Sequence, residues 1–239
     1  MVDVGRRDQS KFSLVLLPDP SSWAGWRALL IAAMGETLHS DERELFKQLT
    51  QREKEPGKRV DELVVVAGRR AGKSRSTSVL AAYIAGLCDH PSLVPGEKGI
   101  VLIFAPDQCQ SAVVLDYITA VFQNSLMLSQ LVVKRTQRAL VLMNRITIIV
   151  RSSDFRRIRG ATLIAVIADE LAFLRSDDSS SNPDTEILNA VRPGLATTAG
   201  PMFCISSPYA RKGELYNLYQ QHFGHQGDPS MLVPPAGGR

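Results

Sequence analysis

The sequence predicts an α/β fold, with a mostly parallel central sheet and helices on both of its faces. From residue 60 onward, short apolar runs of strand length alternate with longer runs of helical spacing. Two of the apolar runs end in polar motifs, a glycine-rich loop at 67–74 and the acidic pair Asp169-Glu170. Because ligands bind at the carboxyl ends of parallel strands, these motifs predict one site at one edge of the sheet.

Residues 1–60 predict a helical lead-in that packs on the α/β core. The segment Pro18–Ser22 is a turn with a helix N-cap. Apolar residues then recur at helical spacing, at Trp23, Trp26, Leu29, Leu30 and Ala33. A second helix with one charged face is predicted over 41–53, and a charged connector containing Pro and Gly covers 51–59.

Residues 61–223 predict the core itself. Most of its strands are unbroken apolar runs, as expected for parallel strands covered on both faces. The predicted strands are Leu63–Ala67, Gly99–Ala105, Ala139–Met143, Ile146–Val150, Leu163–Ala168 and Met202–Ser206. The predicted helices are 74–88, 108–124, 184–192 and 213–222. A hairpin turn at Asn144-Arg145, a polar loop at 177–182 and a flexible tail at 224–239 complete the prediction.

The loop that follows the first core strand has the pattern of a phosphate-binding loop. A strand precedes it and a helix-like run follows it, which is the context such a loop requires. Lys73 would reach the β- and γ-phosphates of ATP, and the Ser74 hydroxyl would ligate Mg²⁺. The usual pattern opens with Gly, whereas Ala67 stands in that place here. The predicted nucleotide-binding residues are Gly68, Arg69, Arg70, Ala71, Gly72, Lys73 and Ser74.

The acidic pair that ends the strand over 163–168 predicts the rest of the catalytic site. Asp169 is predicted to share the metal ion with Ser74, and Glu170 to act as the general base for the attacking water. Taken alone, the pair fits an ordinary acidic turn equally well. Together with the Lys73 loop it predicts an ATPase of the additional-strand, catalytic-Glu (RecA-like) type of P-loop fold. The strands predicted at 99–105 and 139–150 fall in the interval between the two motifs.

Composition and charge indicate the cellular compartment of the protein and the kinds of partner it can bind. The net charge of +4 is compatible with a nucleic-acid partner. The three cysteines are far apart and lack metal-binding or redox spacing, which is typical of a reducing compartment. The sequence starts without an apolar signal segment, and no run reaches the ~20 apolar residues that a membrane span needs. We therefore expect a cytoplasmic protein with no membrane partner.

Several segments match one family in their order and spacing over residues 19–224. They are Asp19–Trp23 with Trp26-Arg27, Gly68–Ser74, Ala105–Ala112, Arg159–Thr162, Asp169–Phe173, and Ser206–Pro208 with Gly213–Tyr216. In this combination the chain resembles the N-terminal ATPase domain of phage terminase large subunits, the motors that package DNA into procapsids. The resemblance implies ATP hydrolysis coupled to translocation of double-stranded DNA in the cytoplasm of a bacterial host.

The resemblance also implies roles for particular residues and partners. Arg69 becomes a catalytic arginine beside Lys73 and Glu170, while Ser206 and Ser207 become a coupling motif that links hydrolysis to movement. It further implies a homo-oligomeric ring on the procapsid, with the portal and the small terminase subunit as partners; a monomer is the alternative for the chain alone. A guanidinium near the transferring phosphoryl group would offset its developing negative charge, which favours a role for Arg69 independently of the resemblance. The alternative is that Arg69 and Arg70 are solvated loop cations and that Ser206-Ser207-Pro208 is an ordinary strand end.

A basic stretch between Lys134 and Arg159 is the candidate DNA surface. It contains eight basic residues and a single acid, Asp154. Such a stretch can neutralise DNA phosphates, and Arg156 and Arg157 are the predicted contacts. Because no base-reading motif is present, these contacts should be directed at the backbone and tolerant of sequence. A solvated hairpin is the alternative interpretation.

Other activities are expected to be absent or are less well supported. Complete terminase large subunits continue into a nuclease domain with clustered carboxylates, whereas Asp228 is the sole acid here after residue 214. We therefore expect no nuclease activity in this chain. A helicase-like ATPase is an alternative, disfavoured because neither Ala-Asp nor Ala-His follows the acidic pair. A prophage remnant or scaffold that binds ATP without hydrolysing it is the other alternative.

Overall fold

An eight-stranded sheet forms the centre of the computed structural model, which describes residues 23–152, 160–174, 183–209, 211, 213–225, 228 and 231–232. The strands are β1 (Glu62–Val66), β2 (Gly99–Ala105), β3 (Val132–Arg135), β4 (Ala139–Leu142), β5 (Ile146–Ser152), β6 (Thr162–Asp169), β7 (Met202–Ser206) and β8 (Met231–Leu232). Their order across the sheet is β3-β4-β5-β2-β6-β7-β1-β8. From β5 to β8 neighbouring strands are parallel, whereas β3, β4 and β5 form an antiparallel meander. The predicted mostly parallel sheet is confirmed.

The additional strand of the sheet is β7, which lies between β1 and β6 and pairs with both in parallel. The sequence interval between the two motifs suggested 99–105 and 139–150 for this position, and that assignment is wrong. Those segments form β2, β4 and β5, which lie on the far side of β6. Strands that are neighbours in a parallel sheet need not be neighbours in the sequence, so the order of strands along the chain does not fix their order in the sheet.

Helices cover both faces of the sheet, as predicted. They are α1 (Ala24–Ala33), α2 (Ser40–Thr50), α3 (Lys73–Leu87), α4 (Gln108–Gln123), α5 (Leu126–Ser129), α6 (Pro183–Ala196) and α7 (Glu214–His222). Side chains of β1 alternate between the two faces. Leu63 and Val65 join the apolar core with α1 to α4, while Val64 and Val66 join the core with α6 and α7. Among the helices that the structure describes, none is long and apolar enough to cross a bilayer.

The lead-in helices share the core of the sheet. Leu30 of α1 and Phe46 of α2 are fully buried in the same cluster as β1 and α3. An ion pair between Arg27 Nε and Glu42 Oε1, at 2.6 Å, joins the two helices. Helix α2 ends at Gln51, which takes a left-handed backbone conformation that terminates helices. Residues 1–22, including the predicted turn at Pro18–Ser22, lie outside the described part of the chain.

Four short elements of the described residues were missed from the sequence. They are β3, α5, β8 and a 3₁₀ helix over Leu171–Phe173, each of four residues or fewer and too short to show a period. β8 pairs with the start of β1 and lies within the segment expected to be a flexible tail. The predicted hairpin turn is confirmed, because β4 and β5 are antiparallel and Arg145 adopts a φ of 68°. The predicted loop at 177–182 lies outside the described residues.

Candidate active site

The loop between β1 and α3 is shaped by its backbone. Gly72 caps α3 with a φ of 79°, a conformation that glycine adopts without strain. Arg70 also has a positive φ, of 62°. At the entrance, the Ala67 N–H donates to the Ser206 carbonyl oxygen at 3.0 Å, which fixes the loop to the end of β7. Since α3 begins at Lys73, the free N–H groups of its first turn face the space above this loop.

Two tryptophans of the lead-in brace the same loop. A Cβ atom on Gly72 would lie 2.6 Å from the ring of Trp23, so glycine is also required here by the close approach of that ring. The Trp26 Nε1–H donates to the Ala71 carbonyl oxygen at 2.6 Å, and the Arg75 guanidinium lies 5.0 Å from the Trp23 ring centroid. Sequence reasoning gave these tryptophans only a helical spacing, and their place in the family resemblance was the one signal that they matter to the site.

Lys73 is held by three acceptors. Its side chain is only 6% exposed. The ammonium donates to the Gly68 carbonyl oxygen at 2.8 Å, lies 3.4 Å from the Ala67 carbonyl oxygen, and pairs with Glu170 Oε1 at 3.3 Å. The structure therefore brings together Lys73 and Glu170, which were predicted from separate motifs. The ammonium thus makes two hydrogen bonds and one ion pair.

Ser74 and Asp169 meet at the end of β6. The Ser74 hydroxyl donates to Asp169 Oδ2 at 3.1 Å. The other carboxylate oxygen, Oδ1, is buried without a hydrogen-bond partner among the described residues. The pKa of Asp169 is raised from 3.8 to about 6, mainly by burial. The charge of Glu170 also raises this pKa, while hydrogen bonding to Ser74 and Thr77 and the charge of Lys73 lower it. A buried acid with one free oxygen is a group that a cation would stabilise.

Glu170 faces the end of β7. Its backbone φ of 56° turns the chain sharply after Asp169. The Ser207 N–H donates to Glu170 Oε2 at 2.8 Å, and the Ser207 hydroxyl donates to Oε1 at 3.1 Å. The buried Ser206 hydroxyl accepts from the Ala172 N–H at 3.1 Å. The two serines predicted as a coupling motif thus contact the acidic turn directly.

The structure does not bring every predicted residue into this cluster. Arg69 and Arg70 are exposed on the loop, and their predicted roles are not decided by any contact that the structure describes. Arg156 and Arg157, the predicted DNA contacts, lie outside the described residues. The site therefore consists of the loop, the acidic pair and the end of β7.

The cluster fits a nucleotide with a magnesium ion. The loop offers backbone N–H groups and a lysine for phosphate oxygens. The unpartnered Oδ1 of Asp169, beside the Ser74 hydroxyl, provides the hard oxygen donors that Mg²⁺ prefers. Among the described residues there is no cluster of three or more His, Cys, Asp or Glu side chains that would hold a metal alone.

The fold is α/β of the P-loop, RecA-like type, with β7 between the strand that precedes the glycine-rich loop and the strand that ends in the acidic pair. No protein-family model matches this sequence, and no curated protein matches it either.

Solved structures similar to this chain include the large terminases of two phages. The large terminase ATPase domain of Thermus phage P74-26 superposes with a TM-score of 0.56 and 20% identity, covering 87% of this chain and 83% of that domain. A variant of that domain gives the same TM-score at 18% identity. The large terminase of bacteriophage HK97 matches with a TM-score of 0.56, 16% identity and 85% coverage of this chain. This chain spans 42% of the HK97 protein. At these identities, the similarity establishes a shared fold.

Proposed function

We propose that this chain is the ATP-hydrolysing motor domain of a viral DNA-packaging terminase, which couples ATP hydrolysis to translocation of double-stranded DNA. One observation carries the ATPase part: the 3.1 Å contact between Ser74 and Asp169, beside the 3.3 Å pair of Lys73 with Glu170. These four side chains come from two distant motifs and occupy the roles that phosphoryl transfer requires. The fold shared with two phage large terminases supports the packaging part.

In this proposal the loop and the acidic pair have different roles in ATP binding and hydrolysis. The loop N–H groups and Lys73 hold the phosphates, and Ser74 and Asp169 hold Mg²⁺. The bound ion supplies charge stabilisation at the phosphate oxygens. Glu170 accepts the proton of the attacking water at a carboxylate oxygen. Arg69, exposed on the loop, offsets charge that develops on the transferring phosphoryl group.

The contacts of Lys73 and Glu170 suggest how nucleotide reaches the coupling motif. The ammonium of Lys73 donates to Gly68 and Ala67 and forms an ion pair with Glu170. A phosphate bound beside Lys73 competes with these acceptors for the ammonium. If the ion pair breaks, Glu170 keeps its hydrogen bonds from Ser206 and Ser207. In this way the γ-phosphate would shift the preferred position of the segment that follows β7, and so couple nucleotide binding to movement of that segment.

The wider assembly belongs to the same proposal. A ring of copies on the procapsid would engage duplex DNA, with the portal and the small terminase subunit as neighbours, in the cytoplasm of a bacterial host. The mildly basic charge of +4 is compatible with sequence-tolerant contact to phosphates. The two Thermus phage structures are of ATPase domains, which supports the assignment of this chain as an ATPase unit.

Phosphate release by the purified chain, with and without duplex DNA, tests the proposal. Lys73→Ala is expected to abolish hydrolysis and weaken ATP binding, because the phosphate charge loses its fixed partner. Glu170→Gln is expected to keep ATP binding and lose roughly 100-fold or more in hydrolysis, because an amide cannot take the proton. Lys54→Ala removes an exposed cation outside the loop and serves as the control.

The outcomes separate the proposal from its rivals. Normal turnover by Lys73→Ala would remove the phosphate-loop assignment. Tight ATP binding by the wild type without phosphate release, even with DNA, would favour a nucleotide-binding protein without turnover. Unwinding of a DNA duplex would favour the helicase-like alternative.

A further inference from the structure

A surface groove of about 370 Å³ lies between the first turn of α4 and the β3-β4-β5 meander. Helix α4 contributes Gln108 and Ser111 to its wall, and the meander contributes three arginines, Arg135, Arg138 and Arg151. The ATPase proposal above does not use this groove. Its lining is polar and cationic, with no aromatic side chain and no carboxylate among the lining residues.

The groove lies at the same edge of the sheet as the ATP site. Ser152, at the end of β5, is in register with Ala105, at the end of the parallel strand β2. On its other side, β2 pairs with β6, which ends at Asp169. Because neighbouring strands lie about 4.8 Å apart, the ends of β5 and β6 are separated by roughly 10 Å. A ligand in the groove would therefore lie beside the catalytic edge.

The groove is positively charged, because three arginines and no carboxylate are among its lining residues. Asp116 of α4 pairs with one of them, Arg135. Asp107, which precedes α4, accepts from the Gln110 N–H that it caps. No lining carboxylate offsets the charges of Arg138 and Arg151.

The backbone that presents these arginines is fixed. The Thr136 hydroxyl oxygen accepts from the N–H groups of Arg138 and Ala139, at 3.3 and 3.0 Å. The Val150 N–H donates to the Arg138 carbonyl oxygen at 2.9 Å, which ties the β3-β4 turn to β5. Cations on a rigid backbone lose less conformational entropy on binding an anion than cations on a free loop.

We infer that this groove binds the phosphate backbone of duplex DNA, with Arg138 and Arg151 as phosphate contacts. Guanidinium groups and neutral donors such as Gln108 and Ser111 match phosphate oxygens, whereas the absence of an aromatic wall gives a base nothing to stack on. The inference rests on the proposed motor function, which requires a duplex contact. It places that contact on β5 and the β3-β4 turn, whereas the sequence predicted Arg156 and Arg157 as the DNA contacts.

Fluorescence anisotropy of a labelled DNA duplex, titrated with the full chain at several salt concentrations, tests the groove. The double variant R138Q/R151Q is expected to bind at least about tenfold more weakly and to have a salt slope shallower by about two, because two phosphate contacts are lost. Lys134→Gln is the matched control, since it removes a cation from the same meander that does not line the groove. Arg138→Lys should keep most of the salt slope, because a point charge remains.

Each result decides the proposal. An equal loss in Lys134→Gln would show a diffuse charge effect and overturn it, as would unchanged binding by R138Q/R151Q. Full competition by inorganic phosphate at millimolar concentration would reduce the groove to a simple anion site, and preference for single strands would exclude the duplex. ATP binding by the wild type, measured without DNA, separates failure of the groove from failure of the ATPase proposal.

Discussion

Asp169→Asn is expected to change the pH dependence of stability. Asp169 is 1% exposed, and its pKa is raised on folding from 3.8 to about 6, mainly by burial. A carboxyl with a raised pKa binds its proton more tightly in the folded state than in the unfolded state. The stability that this proton contributes is present at low pH and is lost as the pH rises through the folded pKa.

The size of the effect follows from the pKa values. A shift of about two units corresponds to about 3 kcal/mol between the fully protonated and the fully ionised limits. Between pH 5 and pH 8 the folded carboxyl loses its proton while the unfolded one is ionised throughout, and this part is worth about 1 kcal/mol. From pH 5 to pH 8 the free energy of unfolding of wild type should therefore fall by about 1 kcal/mol relative to that of Asp169→Asn, because the amide does not titrate.

Urea unfolding in EDTA, followed by tryptophan fluorescence at pH 5 and pH 8, measures this difference. Asp61→Asn, at an exposed carboxyl before β1, controls for the removal of a charge. Added Mg²⁺ should then stabilise wild type more at pH 8 than at pH 5, because below pH 6 the proton competes with the ion. If the difference in unfolding free energy between wild type and Asp169→Asn stays constant from pH 5 to pH 8, the claim that burial raises the pKa of Asp169 is refuted.

Two further substitutions test the surroundings of the site. Ser207→Ala removes the hydroxyl donor to Glu170 and keeps the backbone donor; kcat should fall roughly tenfold with little change in ATP affinity, and an unchanged kcat in steady-state assays would dismiss a positioning role. Gly72→Ala should destabilise the protein by at least about 1 kcal/mol more than Gly57→Ala in urea unfolding. Both glycines have positive φ, but of the two only Gly72 would bring a new Cβ against a neighbour, Trp23. Equal losses of stability in the two variants would show that the Trp23 ring moves aside without a measurable cost.

The sequence determined the local parts of the site. The order of strand, glycine-rich loop and helix placed Lys73 and Ser74 at the start of α3, and the apolar run before Asp169 placed the acidic pair at a strand end. These features depend on residues close together in the chain, where periodicity and glycine positions act directly on the backbone. The resemblance then singled out Ser206 and Ser207, which the structure brings to the acidic turn.

Only the tertiary structure decided how the distant parts meet. The insertion of β7 between β1 and β6 depends on pairing between strands far apart in sequence, and no local period encodes it. For the same reason, the sequence could not show that Ser207 holds Glu170, that Trp23 closes on Gly72, or that arginines of β3 to β5 share a groove with α4. Local patterns fix each element and its polar end residues, whereas the packing of one element on another selects the side chains that face each other.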